Sequence, residues 1–201
     1  MTRTIDFIFD FASPNGYFAL KGLQGVSERT GASINLIPCL LGGIFKATGN
    51  QAPFVAFGGV KWKLDYEMLE IRRFVTRYSL TAFRMNPNFP INSLTAMRGL
   101  CAVEPGPDFD RYVEAVSAGF WERGLAMGDP AVLQSVLDEA GLDGADLMAR
   151  AQTHDVKARL AANTEAAVAR GVFGVPTFFV GEEMFFGKER LDQVEAQARG
   201  V

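Results

Sequence analysis

The residues with the clearest chemical potential stand where a strand gives way to a helix, in the stretch Asp10-Phe11-Ala12-Ser13-Pro14-Asn15-Gly16. Ser-Pro is a helix-start signal: Ser13 takes the N-cap and Pro14 the first helical position, where a missing N–H costs nothing. A hydroxyl is thereby held at the positive end of a helix, where unpaired N–H groups and the helix dipole favour an anion or a thiolate. On these residues alone an ordinary capping serine explains the pattern as well. The two cysteines, Cys39 and Cys101, lie far apart in no metal or redox spacing and read as buried reduced thiols. The single histidine, His154, sits in a polar stretch and reads as a surface residue, which excludes any site built on several imidazoles.

The elements that position Ser13 follow from periodicity. Phe7, Phe9 and Phe11 alternate as one buried face of a strand, and Ala19, Leu20, Leu23 and Val26 then recur at helical spacing until Gly31 takes the C-cap position. Ser33 to Cys39 reads as a second strand, so the three elements predict a parallel pair with a right-handed crossover. From Leu40 the pattern changes, and Gln51 to Gly59 is a glycine-flanked loop carrying Phe54 and Phe57, which either pack on the core or cover an apolar ligand. Helices are expected over Lys61–Tyr78, from Ser93 as cap through Cys101, from Asp108 as cap through Glu122, from Asp129-Pro130 to Gly141, and over Val156–Arg170. Gly171 ends this helical run. A buried strand begins at Thr177, with Pro176 acceptable because it precedes the strand; Gly181-Glu182 turns the chain into an antiparallel strand at Met184–Phe186, and Gly187 opens a terminal helix. The fold class is α/β, with a core formed by residues 1–40 and 171–201 and an all-helical insertion at 41–170, in one continuous unit.

Composition bounds the function. The chain has 201 residues, 48% hydrophobic and 21% charged, enough for one substantial core. A net charge of −3, with scattered basic residues, argues against a nucleic-acid surface and for a small partner. No apolar stretch approaches membrane-spanning length, and the start of the chain lacks the apolar core of a secretory signal, so the expected location is the cytoplasm.

The order of elements, with a functional turn after the first strand and Val-Pro-Thr before the third, resembles the DsbA-like thioredoxin fold with a helical insertion. The closer likeness is to the 2-hydroxychromene-2-carboxylate isomerases and the related kappa-class glutathione transferases. It is carried by Phe9-Asp10-Phe11-Ala12-Ser13-Pro14, by Thr48-Gly49-Asn50, by Lys63 with Tyr66, and by Gly171 through Gly181 followed by Phe186-Gly187. Each piece is weak alone, and the four in order are specific.

The resemblance implies that glutathione is the cofactor. Ser13 matches the serine that bonds its sulfur, and Val175, before a cis Pro176, matches the residue whose backbone pairs with its cysteine. Lys188 and Glu189, after Gly187, stand where the family has a small polar residue and an aspartate that hold the γ-glutamyl end. Asn50 and Lys63 match glutathione contacts of the kappa class, and Lys46 and Phe89 lie near substrate positions of the isomerases. Here 188 and 189 are bulkier than the usual pair, and the segment between Asn50 and Lys63 differs from both relatives.

The resemblance also fixes where the reactive sulfur comes from. A thiol–disulfide oxidoreductase needs a cysteine where this chain has Ser13, so the thiol must be brought in. A free thiol has a pKa near 8.5; the helix dipole contributes roughly 0.3 to 1 kcal/mol, under one unit. A hydroxyl donating to the thiolate adds about 1.5 to 3 kcal/mol, one to two further units. Serine then acts as a donor and needs no histidine base. The activity implied is isomerisation of a 2-hydroxychromene-2-carboxylate-like aromatic carboxylate by thiolate addition, ring opening, bond rotation and elimination, in a homodimer as relatives are. A kappa-like transferase or peroxidase, and a glutathione-binding protein without turnover, are the rival readings.

Overall fold

A computed structural model describes residues 3–200. Four strands form one sheet in the order β2-β1-β3-β4, with β1 Thr4–Phe9, β2 Ser33–Pro38, β3 Thr177–Val180 and β4 Glu183–Phe186. The pair β1 and β2 is parallel, joined by helix α1 (Pro14–Thr30), whereas β3 runs antiparallel to both β1 and β4. The strands thus come from the two ends of the chain.

The aromatic alternation in β1 is a buried stack. Phe7 lies flat on Phe178 with ring centroids 5.3 Å apart, and Phe11 lies flat on Phe120 at 5.9 Å. Both faces of β1 are covered, because Ile8 points into a second apolar cluster with Cys39, Ile44, Val175 and Phe179. A strand buried on both faces is rigid, so the turn that follows it starts from a fixed point.

Between β2 and β3 the described chain is helical: α2 Leu41–Thr48, α3 Pro53–Ala56, α4 Lys63–Arg77, α5 Leu94–Ala102, α6 Pro107–Trp121, α7 Pro130–Glu139, α8 Gly144–Arg150 and α9 His154–Ala169. A short 3-10 turn at Lys188–Arg190 leads into α10, Leu191–Arg199. Among the described residues no helix is long and apolar enough to cross a membrane.

Four expectations need correction. The 51–59 segment is not all loop, since Pro53–Ala56 forms a short helix with Pro53 in its first turn; before it, residues 41–48 form a helix despite Gly42 and Gly43, because Leu41 N–H is held by the Asp10 carboxylate at 2.7 Å and Gly43 lets Thr164 approach to 3.1 Å from where a Cβ would stand. Lys61 and Trp62 precede α4, since Trp62 has φ 70° and cannot continue a helix. Asp108 lies inside the first turn of α6, behind Gly106 and Pro107, where its charge still favours the helix dipole. Ser93 precedes α5 but its side chain makes no capping bond; the hydroxyl stands beside Asp10 instead.

Candidate active site

Ser13 is built by β1 and α1 together. Its main-chain N–H donates to Asp10 O at 3.2 Å, closing the turn, and its Oγ accepts from Gly16 N at 3.1 Å, capping the 17-residue helix. The hydroxyl proton points across the chain to Val175 O at 3.4 Å, a long bond that a charged acceptor would replace. Ser13 is only 5% exposed. A hydroxyl there is desolvated, preorganised and aimed at the loop before β3.

That loop has the geometry the site needs. The Val175-Pro176 bond is cis. Pro176 O accepts from Gly187 N at 3.0 Å and Gly174 O from Thr177 Oγ1 at 2.8 Å, so the loop is braced on both sides. Asn50 Nδ2, just beyond α2, donates to Phe173 O at 2.7 Å and ties the insertion to the same loop. Ser13, Val175, Pro176, Gly187 and Asn50 therefore form one connected group. Among the described residues the Val175 N–H has no partner within the chain, and Asn15 Oδ1, one residue into α1, is buried without one.

Beyond Gly187, which has φ 99°, the chain places Lys188 and Glu189 as an ion pair. Lys188 is 3% exposed and its ammonium lies 5.8 Å from the centre of the Phe74 ring, so it packs inward on α4. A cavity of about 250 Å³ opens beside the pair, between α4 and α10. Lys63 pairs with Glu67, which holds its ammonium above the usual range, and the Glu189 charge acts in the same direction. Glu189 stands two residues after Gly187, whose N–H bonds Pro176 O, and its charge reaches Lys63 weakly.

The two residues associated with substrate part company. Phe89 lies 6.0 Å from Trp121 and makes an edge contact with Phe54 at 5.3 Å. Trp121 Nε1 donates to Phe11 O at 2.8 Å, so this aromatic path runs from the exposed 51–59 segment to the turn that holds Ser13. Lys46 instead lines a different cavity, between α2, α5 and α9, whose walls include none of the turn or loop residues above.

Two contributors escape a sequence reading. Asp10 is fully buried, with Oδ1 accepting from Ala12 N at 2.9 Å and Oδ2 from Leu41 N at 2.7 Å, while burial pushes its pKa up and the Ser93 hydroxyl and both N–H groups pull it down. Its only signal in sequence is a charged residue inside an aromatic strand. Trp121 gave none, since its indole bond crosses 110 residues. The protein's own thiols are buried, and burial disfavours their thiolates, pushing Cys39 up to about 12 and Cys101 up to about 11.

A family model described as a DSBA-like thioredoxin domain matches residues 4–199. The chain is 30% identical over 199 residues to the 2-hydroxychromene-2-carboxylate isomerase of Sphingobium xenophagum, covering 98% of both. The chain belongs to the 2-hydroxychromene-2-carboxylate isomerase family. A solved structure of a 2-hydroxychromene-2-carboxylate isomerase superposes with a TM-score of 0.83 at 30% identity, over 96% of this chain and 93% of that one. More distantly, this family member is 26% identical to rat glutathione S-transferase kappa 1, over 94% of this chain and 88% of that protein. DsbA of Pseudomonas aeruginosa, at 14% identity and a TM-score of 0.60, shares the fold alone.

Proposed function

We propose that the chain is a glutathione-dependent isomerase of 2-hydroxychromene-2-carboxylate-like aromatic acids. The observation that carries this reading is the buried Ser13 hydroxyl at a helix N-terminus, facing a cis Val175-Pro176 bond in a turn with no cysteine. The residues present fit the tripeptide thiol. Val175 offers a free N–H beside its carbonyl, as an extended peptide needs, and the 250 Å³ cavity beside Lys188 and Glu189 carries both signs of charge, as a γ-glutamyl zwitterion needs. When bound, glutathione supplies a sulfur nucleophile able to add to a conjugated carbon and leave again.

Each residue has work in this scheme. Ser13 donates to the sulfur anion and, with the dipole of α1, keeps it charged near neutrality. Val175 holds the cysteinyl backbone, and Asn50 fixes the loop that presents it. Lys63 and Glu189 address the charged ends. Phe54 and Phe89, in edge contact at 72°, offer an apolar corner against which an aromatic body can pack.

The test is product analysis on 2-hydroxychromene-2-carboxylate with and without glutathione. Isomer should accumulate only with glutathione, and the glutathione concentration should stay constant. Accumulation of a conjugate would replace the reading by a kappa-like transferase, and binding without turnover by a glutathione-binding protein. Phe54→Ser should raise KM for the aromatic acid about three- to tenfold, the worth of one aromatic contact, and leave the glutathione affinity unmoved. Equal shifts in both constants would remove Phe54 from the aromatic surface.

A further inference from the structure

The cavity that Lys46 lines belongs to no part of the site above, and its chemistry is distinct. It measures about 650 Å³, within the range of about 300 to 1,000 Å³ typical of small-molecule sites. Leu40 just before α2, Ala47 on α2, Leu94 on α5, and Leu160, Ala161 and Val168 on α9 make its walls apolar. Three cations, Lys46, Arg98 and Lys157, stand around it against a single carboxylate, Glu165.

The gathering of these charges at one cavity is what points to a ligand. Many cations of this surface find carboxylates, as in Lys21 with Glu122, Arg29 with Glu195 and Arg170 with Asp6, whereas others, such as Lys61, Arg72, Arg84 and Arg190, stand singly without an ion pair among the described residues. Lys46, Arg98 and Lys157 make no ion pair with any described residue, although each comes from a different helix and they meet at one mouth. Like charges gathered without ion-pair partners repel, and an anion bound among them relieves that repulsion more than the single Glu165 or solvent screening can. The walls are preformed. Thr164 Oγ1 accepts from Leu40 N at 3.0 Å and donates to Leu160 O at 2.7 Å, locking α2 to α9, and the Asp10 carboxylate holds the start of α2 with Ser93 of the α5 start beside it.

We propose that this cavity is a second small-molecule site, selective for an amphipathic organic carboxylate: an apolar body between α2, α5 and α9, and an anionic head among Lys46, Arg98 and Lys157. The assignment does not depend on the reading of Ser13. An aromatic acid and a medium-chain fatty acid share the chemistry, and the experiment separates them.

The test is calorimetric titration of the full chain with sodium 2-naphthoate, sodium decanoate and neutral 2-naphthamide. At least one carboxylate should bind with a stoichiometry of one in this cavity, the tighter of the two identifying the body, and the amide should bind at least tenfold more weakly. Lys157→Glu should weaken the carboxylate at least tenfold. Ala161→Trp, on an exposed wall position where a large side chain can be carried, should abolish binding. Glutathione titrations should be unchanged in both variants. The proposal is overturned if neither carboxylate binds in the millimolar range, if the amide binds as tightly, or if both variants keep full affinity. Glutathione affinity tracks the other site, so failure there leaves this result readable.

Discussion

Ser13→Ala should raise the apparent pKa of enzyme-bound glutathione by one to two units and lower kcat/KM at neutral pH by roughly 10- to 100-fold, the worth of one hydrogen bond to a charged acceptor. The direction is fixed by what the hydroxyl touches. Its proton reaches only Val175 O at 3.4 Å, so it is available to a sulfur anion, and alanine leaves that anion with the helix dipole alone. The pH–rate profile should therefore move to higher pH, and activity lost at pH 7 should be partly recovered at pH 9. The thiolate absorbance of the binary complex measures the shift without turnover. The same substitution removes the cap to Gly16 N, at a cost of about 1 kcal/mol in stability, so urea unfolding must accompany the kinetics. Ser13→Thr, which keeps both the cap and the donor, should retain the wild-type profile. An alanine variant with an unmoved profile and full turnover would detach the serine from the chemistry.

The turn at Ser13 was legible because its information is local: a strand of alternating aromatics, an N-cap and a proline lie within eight residues. The amphipathic helices of the insertion were legible for the same reason, as in α4 and α6. What failed to show was whatever depends on distant partners. Helix α2 contains adjacent glycines, which argue against helix, and it forms because Asp10 and Thr164 hold its first N–H groups from outside. Ser93 has the residue type of a cap, but a buried carboxylate beside it competes for the hydroxyl. Lys188 stands where the resemblance implies a small polar residue at a helix start, yet its long side chain is buried, with the ammonium near the ring of Phe74 and paired with Glu189. The connected group of Ser13, Val175, Pro176 and Gly187 follows from two hydrogen bonds, one that joins Ser13 to Val175 across the chain and one that folds Gly187 back on Pro176.

Asp10→Ala is expected to be the most destabilising single change near the site, by about 2 to 4 kcal/mol in urea unfolding. Two effects oppose. Burial disfavours the carboxylate, which pushes its pKa up, and deleting the group relieves that cost. Against it stand two part-buried main-chain donors, Ala12 N at 2.9 Å and Leu41 N at 2.7 Å, both left without their partner by alanine at about 1 to 3 kcal/mol each. The donors win because a backbone N–H cannot neutralise itself as a carboxyl can. Asp10→Asn preserves shape and one acceptor oxygen, so its amide must face one of the two N–H groups, and about half the loss is expected. The order wild type, asparagine, alanine follows from counting acceptors. Catalysis should fall further than stability under native conditions, since Asp10 fixes the turn carrying Ser13 and the start of α2 at once. An alanine variant within about 0.5 kcal/mol of wild type would mean that burying the carboxylate costs as much as its bonds return.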